Sequence, residues 1–155
     1  MKNKSIYFFL ALFTTFTITS CSTDDGATDT VSPSITIITP QDQDEFELGE
    51  TIQVKLEFTD DVSLASYKVD IHFAGDGHSH DSRGEYEEWD FEMEGTLSGT
   101  SQIIHTEIEI PEISNGKPIK EGEYHFGVYC LDAAGNETVA WRKIKIETHP
   151  HTDQE

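Results

Sequence analysis

Seven histidines stand out in a chain with only 10 Lys+Arg against 30 Asp+Glu. His72, His78 and His80 form the pattern His-x5-His-x-His, with Asp76 and Asp81 among them. Neutral imidazole is the commonest protein ligand for zinc, copper and nickel. Four such nitrogens satisfy tetrahedral zinc, and three with an open position suit an exchangeable ion. The His-x-His pair alone reads more simply as a solvated turn in a polar loop. That loop, 74–88, is glycine-rich, poor in apolar residues and about 15 residues long, more than a bare connection needs. A fourth histidine, His125, changes the weighing once the elements carrying it are placed.

Those elements are β-strands. The run 34–39 is β-branched and closed by Pro40. Along 51–59, Ile52, Val54, Leu56 and Phe58 alternate with Gln53, Lys55 and Glu57. Over 66–73, Tyr67, Val69, Ile71 and Phe73 point one way, and Lys68, Asp70 and His72 the other. Shorter alternation marks 89–93 (Trp89, Phe91, Met93). Ile104, Thr106, Ile108 and Ile110 define the inward face of 102–110, leaving His105 outward. Tyr124, Phe126, Val128 and Cys130 do the same for 123–131, and 138–147 follows with a bulge expected near Arg142-Lys143, where the alternation changes phase. Period-2 segments separated by polar turns, without an amphipathic helical stretch, predict an all-β chain: an immunoglobulin-like antiparallel β-sandwich of about seven strands. Tyr124, near the start of its strand, is placed to anchor the preceding corner, and Gly135-Asn136 supplies turn conformations with positive φ.

In that topology, strand 66–73 runs antiparallel beside strand 123–131. The end of the first therefore lies against the start of the second, and both His72 and His125 point outward there. The 74–88 loop leaves from the same end. His72, His78, His80 and His125 thus converge on a transition-metal site, with zinc the leading occupant and copper or nickel as alternatives. The surrounding negative charge favours cation capture, subject to salt screening. His105 falls in the other sheet, and His149 and His151 lie in the C-terminal tail. A second acidic grouping, Asp60 and Asp61 in one loop and Asp132 in another, belongs at the opposite end. Carboxylates ligate calcium, but the spacing matches no calcium loop, and turn formation is the expected role.

No Gly-x-Ser-x-Gly elbow, His-Glu-x2-His helix or phosphate loop is present, and the sequence implies a non-catalytic protein. With a net charge of −20, the chain has no basic stripe to neutralise phosphates, which argues against nucleic acid as a partner.

The N-terminal residues read as a leader. Lys2 and Lys4 precede the apolar run 6–13, and 14–20 tapers into small and polar residues. This is the order of a secretory signal, too short for a comfortable transmembrane span. The ending Ile18-Thr19-Ser20-Cys21 resembles a bacterial lipobox, with Cys21 the lipidated residue, and an ordinary signal cleaved near Ser20 to leave a free Cys21 is the alternative; acylation would anchor the chain to a membrane. Loss of 1–20 removes two lysines and no acids, taking the charge from −20 to −22. Cys130 then has no intrachain partner and reads as a small buried hydrophobe. Residues 21–32 are polar, acidic and aperiodic, as a flexible tether should be. Asp24-Asp25 resembles the surface-export signal of Bacteroidota lipoproteins, and Asp29-Thr30-Val31 the short O-glycosylation site of that phylum. The expected organisation is leader 1–20, tether 21–32, sandwich 33–148 and tail 149–155.

Several of these pieces together resemble one family. They are the lipobox, the acidic tether, Pro33-Ser34-Ile35-Thr36-Ile37, the stretch Asp60-Asp61-x3-Leu64-x2-Tyr67-x-Val69-x-Ile71-His72, the His-x-His loop and the turn Asp132-x2-Gly135-Asn136. They resemble the Bacteroidota lipoproteins grouped as domain of unknown function 4625. The resemblance implies an immunoglobulin-like fold and a cell-envelope address, and brings no activity. The expectation is an outer-membrane, lipid-anchored protein at the cell surface, with a periplasm-facing orientation the alternative. It would bind a metal ion for acquisition, buffering or delivery to an outer-membrane protein partner. The competing expectations are an adhesion module presenting aromatics such as Tyr86 and Trp89 to a glycan or protein, and a purely structural metal staple.

Overall fold

The computed structural model describes residues 28–75 and 85–148. The leader, Cys21 and most of the tether lie outside them, as do His78, His80, His149 and His151. The described chain is all β: β1 (Ser34–Thr39), β2 (Asp44–Glu47), β3 (Thr51–Thr59), β4 (Leu64–Phe73), β5 (Phe91–Thr96), β6 (Ser101–Glu109), β7 (Ile113–Ser114), β8 (Lys117–Pro118), β9 (Gly122–Asp132) and β10 (Glu137–Glu147). Three strands form one sheet, ordered β1-β3-β6, and five form the other, ordered β2-β10-β9-β4-β5; β7 and β8 make a small separate hairpin. All pairings within the two sheets are antiparallel except β2 with β10, which is parallel. This is an immunoglobulin-like β-sandwich, with β4, β9 and β10 forming the central ribbon of the larger sheet.

Alternation explains why these segments form these strands. Ile52, Val54, Leu56 and Phe58 of β3 meet Val69 and Ile71 of β4 and Tyr124, Phe126, Val128 and Cys130 of β9 in one core between the sheets. Every one of these side chains is buried, so each inward position contributes to the apolar burial that stabilises the fold. Tyr124 is fully buried, and its hydroxyl donates to the Lys120 carbonyl at 2.6 Å, pinning the corner that leads into β9.

Three expectations are corrected. β10 carries no bulge: its register with β9 runs unbroken from Glu137↔Leu131 to Ile146↔Gly122. The apparent change of phase arises because Val139 and Trp141 are apolar residues on the outer face, 37% and 43% exposed, whereas Ile144 and Ile146 face the core. Trp89 precedes β5 rather than starting it. It is 6% exposed and packs against Phe91 and Tyr124, so it belongs to the core and is closed to a surface partner. Tyr86 is exposed. β2, β7 and β8 had no counterpart in the periodic pattern.

Candidate metal centre

The central ribbon positions the two described histidines of the expected set. β4 and β9 pair with His72 directly opposite His125, and Asp70 opposite Gly127. Period-2 geometry keeps Asp70 and His72 on one face of β4, two residues apart. The Asp70 carboxylate lies 2.5 Å from His72 Nδ1. A carboxylate only accepts, so Nδ1 carries the proton, and in the neutral ring Nε2 then presents its lone pair. That Nε2 faces His125 Nδ1 at 3.3 Å. The separation is long for a good nitrogen hydrogen bond. It equals the roughly 3.3 Å that two imidazole nitrogens span on a tetrahedral zinc ion with bonds of about 2.05 Å.

Trp141 walls the pair. Its ring centroid is 5.7 Å from that of His72 and 6.0 Å from that of His125, and all three rings meet edge to face. Gly127, the register partner of Trp141, makes the seat: a Cβ there would lie 2.3 Å from Trp141 Cζ3. The indole therefore lies across a position without a side chain. Together Asp42, His72, His125, Trp141, Arg142 and Lys143 line an open cleft of ≈ 670 Å³. Asp42 is held there by the Lys143 backbone N–H, which donates to its Oδ1 at 2.9 Å. Two nitrogen donors with an oriented carboxylate behind one of them supply part of a cation site; among the described residues no third His, Cys, Asp or Glu brings a ligand atom within 4.8 Å of both.

Of the expected ligands, the structure brings His72 and His125 together, and His78 and His80 lie outside the described residues. Ala74, at the start of their loop, donates to the Glu123 carbonyl at 2.9 Å, so the β4–β9 ladder continues past the histidine pair. His105 is exposed on β6, in the other sheet. Sequence reasoning missed Asp70 and Trp141. The Asp-x-His spacing on one strand was the available signal for the first; the second was hidden by the assumed bulge.

At the opposite end, Asp60 and Asp132 do approach one another, joined by Asp29 rather than by Asp61, which is exposed. Asp132 is 2% exposed. Its burial, which alone would raise the carboxyl, is outweighed by hydrogen bonds from the Asn136 side chain and from the backbone of the turn, which hold it below the usual range. Cys130 is a free, buried thiol. Burial and the neighbouring Asp60 and Asp132 charges push it up to about 11, which keeps it protonated and unreactive near neutrality.

With fold and cleft described, the chain can be placed among known proteins. It is an immunoglobulin-like β-sandwich in strand order and in the hydroxyl-pinned corner before β9. Residues 19–147 match the model of the family "Domain of unknown function (DUF4625)", and the chain belongs to that family. Among solved structures it is similar to the fibronectin(III)-like modules of Clostridium thermocellum CbhA, at 14% identity and a TM-score of 0.42, over 75% of this chain and 98% of that one. It is also similar to the sporulation control protein Spo0M of Bacillus subtilis, at 14% identity and a TM-score of 0.48, over 77% of this chain and 50% of that one. No curated protein sequence matches.

Proposed function

We propose that this protein is a non-catalytic, lipid-anchored cell-envelope protein whose sandwich binds a transition metal ion, zinc first and copper or nickel next. The role is acquisition, buffering or delivery to an outer-membrane partner. One observation carries the reading: His72 Nε2 and His125 Nδ1 stand 3.3 Å apart, with Asp70 fixing the His72 tautomer. This is the ligand separation and outer-shell support of a zinc–histidine site. His72 and His125 supply the first two donors, and His78 and His80 are assigned the remaining ones from their place in the sequence. The Cys21 anchor, the Bacteroidota lineage and the outer-surface address rest on the leader and tether residues. The histidine residues fit the ion by chemistry, since borderline-soft divalent metals favour imidazole over the all-oxygen sets elsewhere on the molecule.

The test is competition for zinc between the full-length protein and a chelator of micromolar affinity, with circular dichroism followed in parallel. A trafficking site surrenders its metal and leaves the fold intact. If the sandwich unfolds as metal leaves, the metal is a structural staple instead. If no metal is taken up, the reading is wrong.

A second reading is supported by Trp141, whose indole is 43% exposed beside Asp42, Arg142 and Lys143. An aromatic plate with polar neighbours is a common way to engage a sugar ring or a protein anchor. Binding of a polysaccharide that is lost in Trp141→Ala and kept in His72→Ala would favour it over the metal role.

A further inference from the structure

The three carboxylates at the far end of the sandwich belong to segments distant in sequence: Asp29 before β1, Asp60 in the β3–β4 loop and Asp132 at the end of β9. One oxygen from each lies within 4.8 Å of the others. That is the span across a single ion with bonds of about 2.4 Å, inside the calcium range. Among the described residues, no lysine, arginine or histidine forms an ion pair with any of the three.

Proximity of acids alone would mean little. The second observation is an orphaned oxygen: Asp60 Oδ1 has under 1 Å² of accessible surface and no hydrogen-bond partner. A buried carboxylate oxygen without a donor or a cation is costly. Asp60 Oδ2 is committed to its own loop, accepting from the N–H groups of Val62 at 2.9 Å and Ser63 at 2.7 Å, which leaves Oδ1 as the atom it has to offer. Asp132 is held rigidly. Its Oδ1 accepts from Ala134 N–H at 2.9 Å and Asn136 N–H at 2.7 Å, and its Oδ2 from Asn136 Nδ2 at 2.7 Å. The same Asn136 Nδ2 donates to the carbonyls of Asp29 at 3.2 Å and Val31 at 3.4 Å, drawing the N-terminal segment onto the turn. Asp29 Oδ1 accepts from Val31 N–H at 3.0 Å.

We propose that Asp29, Asp60 and Asp132 bind a calcium ion that locks the segment entering the sandwich to the β3–β4 and β9–β10 loops. The donors are all oxygen, a hard set that suits calcium and not the imidazole-preferring metals of the other end. Three carboxylates with the remaining positions left to water give affinity in the range of extracellular modules, about 1 mM. Occupancy would fix how the sandwich hangs from its N-terminal segment. This site is independent of the histidine pair.

The experiment compares thermal midpoints of the full-length protein, stripped with a chelator, in 10 mM calcium and in 10 mM magnesium at matched ionic strength. At roughly ten times the dissociation constant, calcium should raise the midpoint by about 5 °C. Magnesium, which demands tight octahedral geometry, should raise it by less than about half of that. Asp29→Asn and Asp60→Asn should abolish the calcium shift, read within each variant as the difference between its calcium and metal-free midpoints, since Asn keeps one oxygen that can accept the loop N–H groups. Asp132 is left intact because it holds the turn. The calcium shift should survive in His72→Ala. No shift, an equal shift in magnesium, or an undiminished shift in both Asp variants would overturn the proposal.

Discussion

Asp70 is the residue through which the proposed metal centre can be perturbed without touching a ligand. Its carboxylate sits 2.5 Å from His72 Nδ1, so it fixes the ring's orientation and selects the tautomer that frees Nε2. Asp70→Asn keeps an oxygen that can accept the Nδ1 proton but removes the charge; Asp70→Ala removes both. Loss of such an outer partner costs about 10- to 100-fold in metal affinity. Because the Asp70 side chain is 25% exposed and partly screened, Asn should fall near about 10-fold, or about 1.4 kcal/mol, and Ala nearer 100-fold. Folding should not suffer. Asp70 stands opposite Glu92 in the β4–β5 pair, and like charges opposite one another destabilise a sheet. The thermal midpoint of Asp70→Asn should therefore equal or exceed that of the wild type. The assay is zinc competition against a chromophoric chelator at pH 7.5, with midpoints measured on the same samples. Zinc affinity within about twofold of wild type in both variants would refute the assignment of Asp70, and with it the reasoning from tautomer and distance.

Other parts of the account are open to direct measurement. Tyr124→Phe deletes the hydroxyl bonded to the Lys120 carbonyl and should cost about 1 kcal/mol, seen as a lower urea midpoint. Burial, reinforced by the charges of Glu88 and Asp90, pushes the Tyr124 hydroxyl up to about 12 from its ordinary 10.0. A raised acid is neutral in the fold at a pH where the unfolded chain has ionised. Its contribution is thus fully present below pH 10 and is lost as pH rises toward 12. Wild type should accordingly lose more stability than Tyr124→Phe across that window in alkaline denaturation. Gly127→Ala places a methyl where the Trp141 ring now rests, so the indole should swing off the sheet. Because that ring is on the surface, stability should change by less than about 1 kcal/mol, while tryptophan fluorescence shifts to the red.

The sandwich was legible because its inward positions obey strict alternation. Ile52 to Phe58, Tyr67 to Ile71 and Tyr124 to Cys130 each bury alternate residues, and this periodicity is written locally in the chain. From it followed the adjacency of His72 and His125, since antiparallel neighbours that meet end to start bring those two numbers together. What stayed hidden depended on contacts between segments. β2 has one apolar residue, Phe46, between acids, and exists as a strand because it pairs in parallel with β10. The exposed Trp141 went unnoticed because its seat depends on a glycine in another strand. Asp29 joins Asp60 and Asp132 only because Asn136 draws the incoming segment onto the β9–β10 turn. No spacing within 28–32 could announce that.

The central claim is that His72 and His125 are two donors of one transition-metal site. It is tested most directly by calorimetric titration of zinc, copper and nickel into the full-length protein at pH 7.5, beside His72→Ala and His125→Ala. The account predicts saturable binding of one ion per chain, with submicromolar affinity for zinc, lost or severely weakened in each single variant while the fold is retained. Absence of binding to the wild type, or isotherms that are the same in all three proteins, would contradict it.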